Sequence, residues 1–228
     1  MREYRQTRFA RPPGATEVLL IRHGESRAAT PDNPFPLKDG HGDPELHENG
    51  RAQALQVGER LRGQPISTIY VSSLRRTHET AAPLAGHLGL SPREDPDLRE
   101  VFLGDWEGGV MRIRAHEGDP VYEQVQTEQR WDLIPNAESW ASLNARLTRS
   151  LARIHAAHPD ELIAAVVHGG VIGHILAHAT GAQPFAFNGA DNGSISHIVL
   201  SEGSIMVRRF NDTSHLADEI TAGAGQMT

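Results

Sequence analysis

Three short apolar runs organise the chain, and each is followed at once by a polar box. Val-Leu-Leu-Ile at 18–21 leads into Arg22, His23, Gly24, Glu25 and Ser26. Ile-Tyr-Val at 69–71 leads into Ser72, Ser73, Leu74, Arg75 and Arg76, and the apolar run at 162–167 leads into His168, Gly169 and Gly170. Continuous apolar runs of this length predict strands covered on both faces, as in a parallel sheet. Between them the pattern changes to helical spacing over 50–61 (Ala54, Leu55 and Leu61), over 77–88 and over 139–155. Two further apolar segments, 195–200 and 205–210, are split by Gly203 and predict a terminal strand pair. Strands alternating with helices call for a three-layer α/β sandwich with a mostly parallel central sheet and right-handed crossovers. Neither an internal repeat nor a linker divides this core.

The polar boxes fall in one place. In sheets of this kind ligands bind just beyond the carboxyl ends of the strands. If the three predicted strands are neighbours, Arg22, Arg76, His23 and His168 converge at one edge. Arginine presents a planar fork matched to phosphate oxygens, so two of them form a clamp for a dianion. Gly24 removes a side chain where Glu25 and Ser26 are expected to open a helix, whose N–H groups would add an anion site. A histidine within such a clamp supplies a nucleophile, since a neutral imidazole nitrogen can attack phosphorus; neighbouring cations keep it neutral. The leaving oxygen then needs a proton. Residues 98–108 offer Glu100, Asp105 and Glu107 beside apolar and aromatic side chains, and position alone does not choose among them.

Composition narrows the partners. The chain has 228 residues with 22 Lys and Arg against 29 Asp and Glu, a formal net charge of −7. That balance argues against nucleic acid, and leaves an anionic ligand to a local cluster of cations. With no cysteine, disulfides, thiolate nucleophiles and cysteine zinc sites are excluded. No apolar run approaches a membrane span and residues 1–14 lack the apolar stretch of a signal peptide, so a cytoplasmic protein with no membrane partner is expected. Residues 1–14, with Arg2, Arg5, Arg8 and Arg11, read as a flexible arm and residues 213–228 as a tail, leaving 15–212 as the domain.

The boxes taken in order resemble the histidine phosphatase superfamily, which includes the cofactor-dependent phosphoglycerate mutases. The Arg22-to-Ser26 box, the segment from Asp43 to Ala54, Ser72 to Ala81, Leu98 to Gly108, and Val167 to Val171 follow the family's order over roughly residues 17–200. The resemblance implies a phosphoglycerate mutase-like fold, His23 as the phosphorylated nucleophile, Arg22, Arg76, His168, Gly169 and Ser26 around the phosphate, and Glu100 as proton donor. It implies no metal and no cofactor. His174 and His178 stand at i, i+4, but without the frame of a zinc site; His155 and His158 read as a solvated helix end, and Asp105 and Glu107 as solvated or capping groups. Family members often carry Asn where Ala29 stands. Residues 30–42 form a longer loop that reaches over the pocket or lies remote from it.

Residues 110–139 correspond to the family's helical cap. There Met111, Val121, Tyr122, Val125, Trp131 and Ile134 mix with Arg112, Arg114 and Arg130. Apolar groups here either pack the cap or meet the organic part of a phosphate monoester. Glu138 is expected in the first turn of the helix over 139–155. The segment is short for a mutase, so a small-molecule phosphomonoesterase is the leading expectation. A phosphoglycerate mutase and a non-catalytic phospho-ligand binder are the alternatives. The histidine-bearing helix and the terminal strands are where two copies would meet in a homo-oligomer.

Overall fold

A computed structural model describes residues 3–216; the remainder of the expected tail, 217–228, lies outside the described residues. In chain order the strands are β1 (Thr16–Arg22), β2 (Leu37–Lys38), β3 (His41–Gly42), β4 (Ile66–Val71), β5 (Arg93–Glu94), β6 (Leu162–Val167), β7 (Ile195–Ser201) and β8 (Ser204–Asp212). The helices are α1 (Glu48–Leu61), α2 (Arg75–Leu88), α3 (Val110–Glu117), α4 (Pro120–Glu128), α5 (Trp140–Ala157) and α6 (Gly169–Thr180). Six strands form one sheet in the order β5-β4-β6-β1-β7-β8. β4, β5, β6 and β1 pair in parallel, whereas β7 runs antiparallel to both β1 and β8.

The three apolar runs are adjacent. β6 lies between β1 and β4, with Arg22 opposite Val167 and Val71 opposite Val166, so their carboxyl ends finish level. Alternation within each run supplies both faces of the sheet. Leu19, Ile21, Val71 and Val166 pack on Val57 of α1 and Leu84 of α2. Val18, Leu20, Ala165 and Val167 pack on Leu147 of α5 and Ile172 of α6. Leu55 does not share this core: it is 60% exposed, and Val57 faces the sheet instead.

No helix follows Gly24. The first helix begins at Glu48, because the box after β1 is pressed against it. A Cβ on Gly24 would stand 2.4 Å from Gly50 O, and one on Gly50 would stand 2.0 Å from Glu25 O. The Gly24 N–H donates to Thr80 Oγ1 at 3.0 Å and the Glu25 N–H to Gln53 Oε1 at 2.9 Å. Those amides are already satisfied by protein, so the anion site expected there does not form.

The cap makes its own small core. Trp106, Val125 and Ile134 are buried, with Val110, Met111, Tyr122 and Trp131 around them. Glu138 precedes the Ser139 cap of α5 and so lies outside its first turn. Its carboxylate instead takes Arg146 Nε and Nη2 at 2.9 and 2.8 Å. His158 is not solvated: it is buried, with Nε2 3.0 Å from Tyr70 Oη and Nδ1 2.7 Å from Glu161 Oε2. His174 packs on Trp140 with the rings tilted by 40°, and its Nε2 lies 3.0 Å from Asn144 Oδ1. At the ends of the described chain, Arg208 lies over the Phe9 ring, Arg11 pairs with Glu17, and Leu216 is buried. Among the described residues no helix is long and apolar enough to cross a membrane.

Candidate active site

The level ends of β1, β4 and β6 bring the polar boxes together. His23 is the first residue beyond β1 and is buried. Its Nδ1 lies 2.8 Å from Gly24 O, and Arg76 Nε donates to its Nε2 at 3.1 Å. A carbonyl can only accept and a guanidinium can only donate, so the proton sits on Nδ1 and the Nε2 lone pair accepts from Arg76. Burial, then the charges of Arg76 and Arg22, hold the imidazole well below its ordinary pKa. It is therefore neutral at pH 7.

Two guanidiniums flank it. Arg22 ends β1 and bonds Ala190 O; Arg76 lies in the first turn of α2 and also donates to Gly42 O at 2.8 Å. Both are buried, and burial lowers both pKa values. His168 caps the N-terminus of α6 and stands edge-on to His23, with ring centroids 5.1 Å apart. Its Nε2 meets Ser72 Oγ at 2.9 Å, while its buried Nδ1 has no hydrogen-bond partner among the described residues. Such an orphaned atom beside two guanidiniums suits an incoming oxyanion.

Gly169 and Gly170 let α6 approach the arginine and the acid. A Cβ on Gly170 would stand 2.7 Å from Glu100 Oε1, and one on Gly169 would stand 3.3 Å from Arg22 Nε. Glu100 accepts from the Val101 N–H at 2.9 Å and from the Gly170 N–H at 3.3 Å. Its backbone carbonyl is held by Arg146 Nη2 at 2.8 Å.

Of the sequence-predicted residues, Arg22, His23, Arg76, Glu100 and Gly169 line one cavity. His168 is buried beside His23 and is not among the lining residues. Ser26 is buried off the cavity, and its hydroxyl accepts from Arg112 at 2.7 Å. Asp105 is exposed and takes an Asn136 amide. Glu107 is a capping residue, at the C-terminal end of the short 104–106 turn, and its carboxylate also lines the cavity and accepts from the Leu103 and Gly42 N–H groups at 2.9 and 2.6 Å. It ties the 30–42 loop to the acid loop, and Phe35, His41 and Gly42 of that loop line the cavity.

Arg112 is the residue that sequence reasoning passed over. The sequence has three arginines between 110 and 139, and nothing local distinguishes them. Arg114 pairs with Asp119 and Arg130 with Asp132 at the surface, whereas Arg112 turns into the cavity. Apolar and aromatic side chains, Phe35, Met111, Tyr122 and Trp131, line the same cavity.

Two imidazoles and a set of guanidiniums gather at the carboxyl edge of a doubly covered sheet, chemistry suited to an anion. The chain belongs to the histidine phosphatase superfamily (branch 1), which it matches over residues 18–213. It is 39% identical over 166 residues to phosphoglycerate mutase-like protein 4 of Arabidopsis thaliana, covering 72% of this chain and 70% of that one. It is 29% identical over 204 residues to the uncharacterized phosphatase PhoE of Bacillus subtilis, covering 89% and 97%. The solved mycobacterial glucosyl-3-phosphoglycerate phosphatase superposes with a TM-score of 0.73 at 28% identity, covering 87% of this chain and 100% of that one.

Proposed function

We propose that phosphate-monoester hydrolysis by this chain runs through a covalent phosphohistidine on His23. The observation that carries the reading is the His23 tautomer: its proton is committed to Gly24 O and its Nε2 lone pair lies among cations. In the first half-reaction Nε2 forms a bond to phosphorus as the ester oxygen leaves, and Glu100 protonates that oxygen to release an alcohol. Arg22 and Arg76 hold the equatorial oxygens, and His168 Nδ1 and the N-terminus of α6 face the same group. In the second half-reaction Glu100 takes a proton from water, the water oxygen bonds phosphorus, and the N–P bond breaks to give inorganic phosphate and neutral His23.

The substrate is a small phosphate monoester whose organic part meets the wall of Phe35, Met111, Tyr122 and Trp131. The proposed setting is the cytoplasm, checked by cell fractionation. The test of the reaction is an assay in EDTA with p-nitrophenyl phosphate and 3-phosphoglycerate in parallel, with and without 2,3-bisphosphoglycerate. Release of inorganic phosphate, an acid-labile phosphoenzyme and a loss of about 10³-fold or more in H23A are expected. Unchanged turnover in H23A refutes the nucleophile. Conversion of 3- to 2-phosphoglycerate without phosphate release makes the chain a mutase.

A further inference from the structure

The cap helix α3 delivers a cation that the proposed chemistry leaves unassigned. Arg112 Nη2 donates to Ser26 Oγ at 2.7 Å and Nη1 to Arg27 O at 3.0 Å. Its Cζ lies 5.3 Å from the centroid of the Phe35 ring, whose surroundings also include Arg27 at 5.1 Å. Ser26 and Arg27 belong to the loop that begins at His23, so these bonds fix the guanidinium against the nucleophile's own segment. The fork is half-buried and lines the cavity that holds His23, Arg22 and Arg76.

Its acceptors are a hydroxyl and a carbonyl, both neutral. Among the described residues neither Arg112 nor Arg76 lies within ion-pair distance of a carboxylate. A half-buried cation whose hydrogen bonds go only to neutral acceptors loses hydration and recovers only part of it, through the longer-range attraction of Glu25. Burial, then repulsion from Arg76 and Arg22, lowers the Arg112 pKa to about 10. Three guanidiniums share the cavity with two carboxylates, Glu100 and Glu107, and the excess of positive charge is most favourable when a multiply charged anion lies among them.

We propose that Arg112 is a third guanidinium on the transferred phosphoryl group, so that docking of the cap completes the phosphate site. The inference rests on the phosphomonoesterase reading of the cavity. It differs from a role in recognising some second acidic group elsewhere on the substrate, because Ser26 and Arg27 tether the fork to the nucleophile's loop. The cap then does more than shape the organic pocket.

The experiment compares wild type, R112M and R112K by calorimetric titration with inorganic phosphate and by turnover of 3-phosphoglycerate and of p-nitrophenyl phosphate, the latter a substrate with no second acidic group. Thermal melts accompany each variant. R112M is expected to weaken phosphate binding about tenfold and lower kcat/KM roughly 10²-fold, with its melting temperature near that of wild type. R112K, which keeps the charge but loses the fork, is expected to recover part of both losses. Unchanged phosphate affinity in R112M overturns the proposal. So does a loss confined to 3-phosphoglycerate, which places the fork on the substrate's carboxylate. So does a loss in R112M that accompanies a large fall in melting temperature and that R112K does not ease, which makes Arg112 a structural tie. The phosphate titration needs no turnover. A wild type that binds phosphate but hydrolyses no ester therefore refutes the hydrolytic reading while the effect of R112M on binding still decides this one.

Discussion

Arg146 offers the most quantitative test of how the acid loop is held. Its side chain and that of Glu138 are 13% and 10% exposed, and they meet through two hydrogen bonds at 2.9 and 2.8 Å. The same guanidinium donates to Asp97 O at 2.6 Å, Arg99 O at 2.7 Å and Glu100 O at 2.8 Å. R146M therefore strands a nearly buried carboxylate and three carbonyls. Breaking a buried pair by removing one partner costs about 3–5 kcal/mol. For a chain of this length, where 1 kcal/mol moves Tm by about 2–4 °C, that is a fall of roughly 6–20 °C. The measurement is a thermal and urea melt of R146M, E138Q and the double variant. A coupling of about 0.5–3 kcal/mol is expected, the double variant losing less than the sum of the single ones. The effect also has a pH signature. Burial would raise the Glu138 pKa, but Arg146, with the Phe102 N–H and Ser142, outweighs it and holds the carboxyl below its ordinary value of 4.5. A depressed carboxylate stabilises the fold fully above its unfolded pKa and loses that contribution as pH falls through the folded one. The gap between wild type and R146M should accordingly narrow below about pH 4.5. A melting shift under 2 °C, additive effects, or a gap that does not change in acid would refute the reasoning.

Two further outcomes are expected. E100Q should slow esters with poor leaving groups more than p-nitrophenyl phosphate, and equal slowing across a leaving-group series argues against Glu100 as the acid. His174, pushed down to about 4 by burial and then by His178, stays neutral in the fold while its unfolded form protonates near pH 6.5. Stability should therefore drop as pH falls from about 6.5 towards 4. H174F, which keeps an aromatic ring against Trp140, should show a shallower pH dependence in melts; an unchanged slope would mean the imidazole titrates alike in both states.

The sheet was legible because burial on both faces leaves a signature that needs no partner to be read. The runs at 18–21, 69–71 and 162–167 are apolar at every position, and all three became central strands. The residues following them share an edge because parallel strands in register end together. Arg22, His23 and His168 could therefore be proposed from strand ends, and Arg76 over the adjacent Arg75 once the family pattern was added. What failed was local inference where a distant segment decides. Gly24 suggested a helix start, but its freedom serves contact with Gly50, and the neighbouring amides go to Thr80 and Gln53. Glu107 read as a solvated or capping carboxylate; it does cap the 104–106 turn, but its bond to Gly42 of the 30–42 loop needs the fold. Arg112, Arg114 and Arg130 are alike in sequence. Only the packing of α3 against the 23–29 loop turns one of them into the cavity and leaves two at the surface. Periodicity records what a residue is buried by on average, so the sequence determined the strands, the helices and the conjunction of boxes at one edge. Side-chain partners across the cap and the loops arise from contacts between segments far apart in the chain, and these the tertiary structure alone decided.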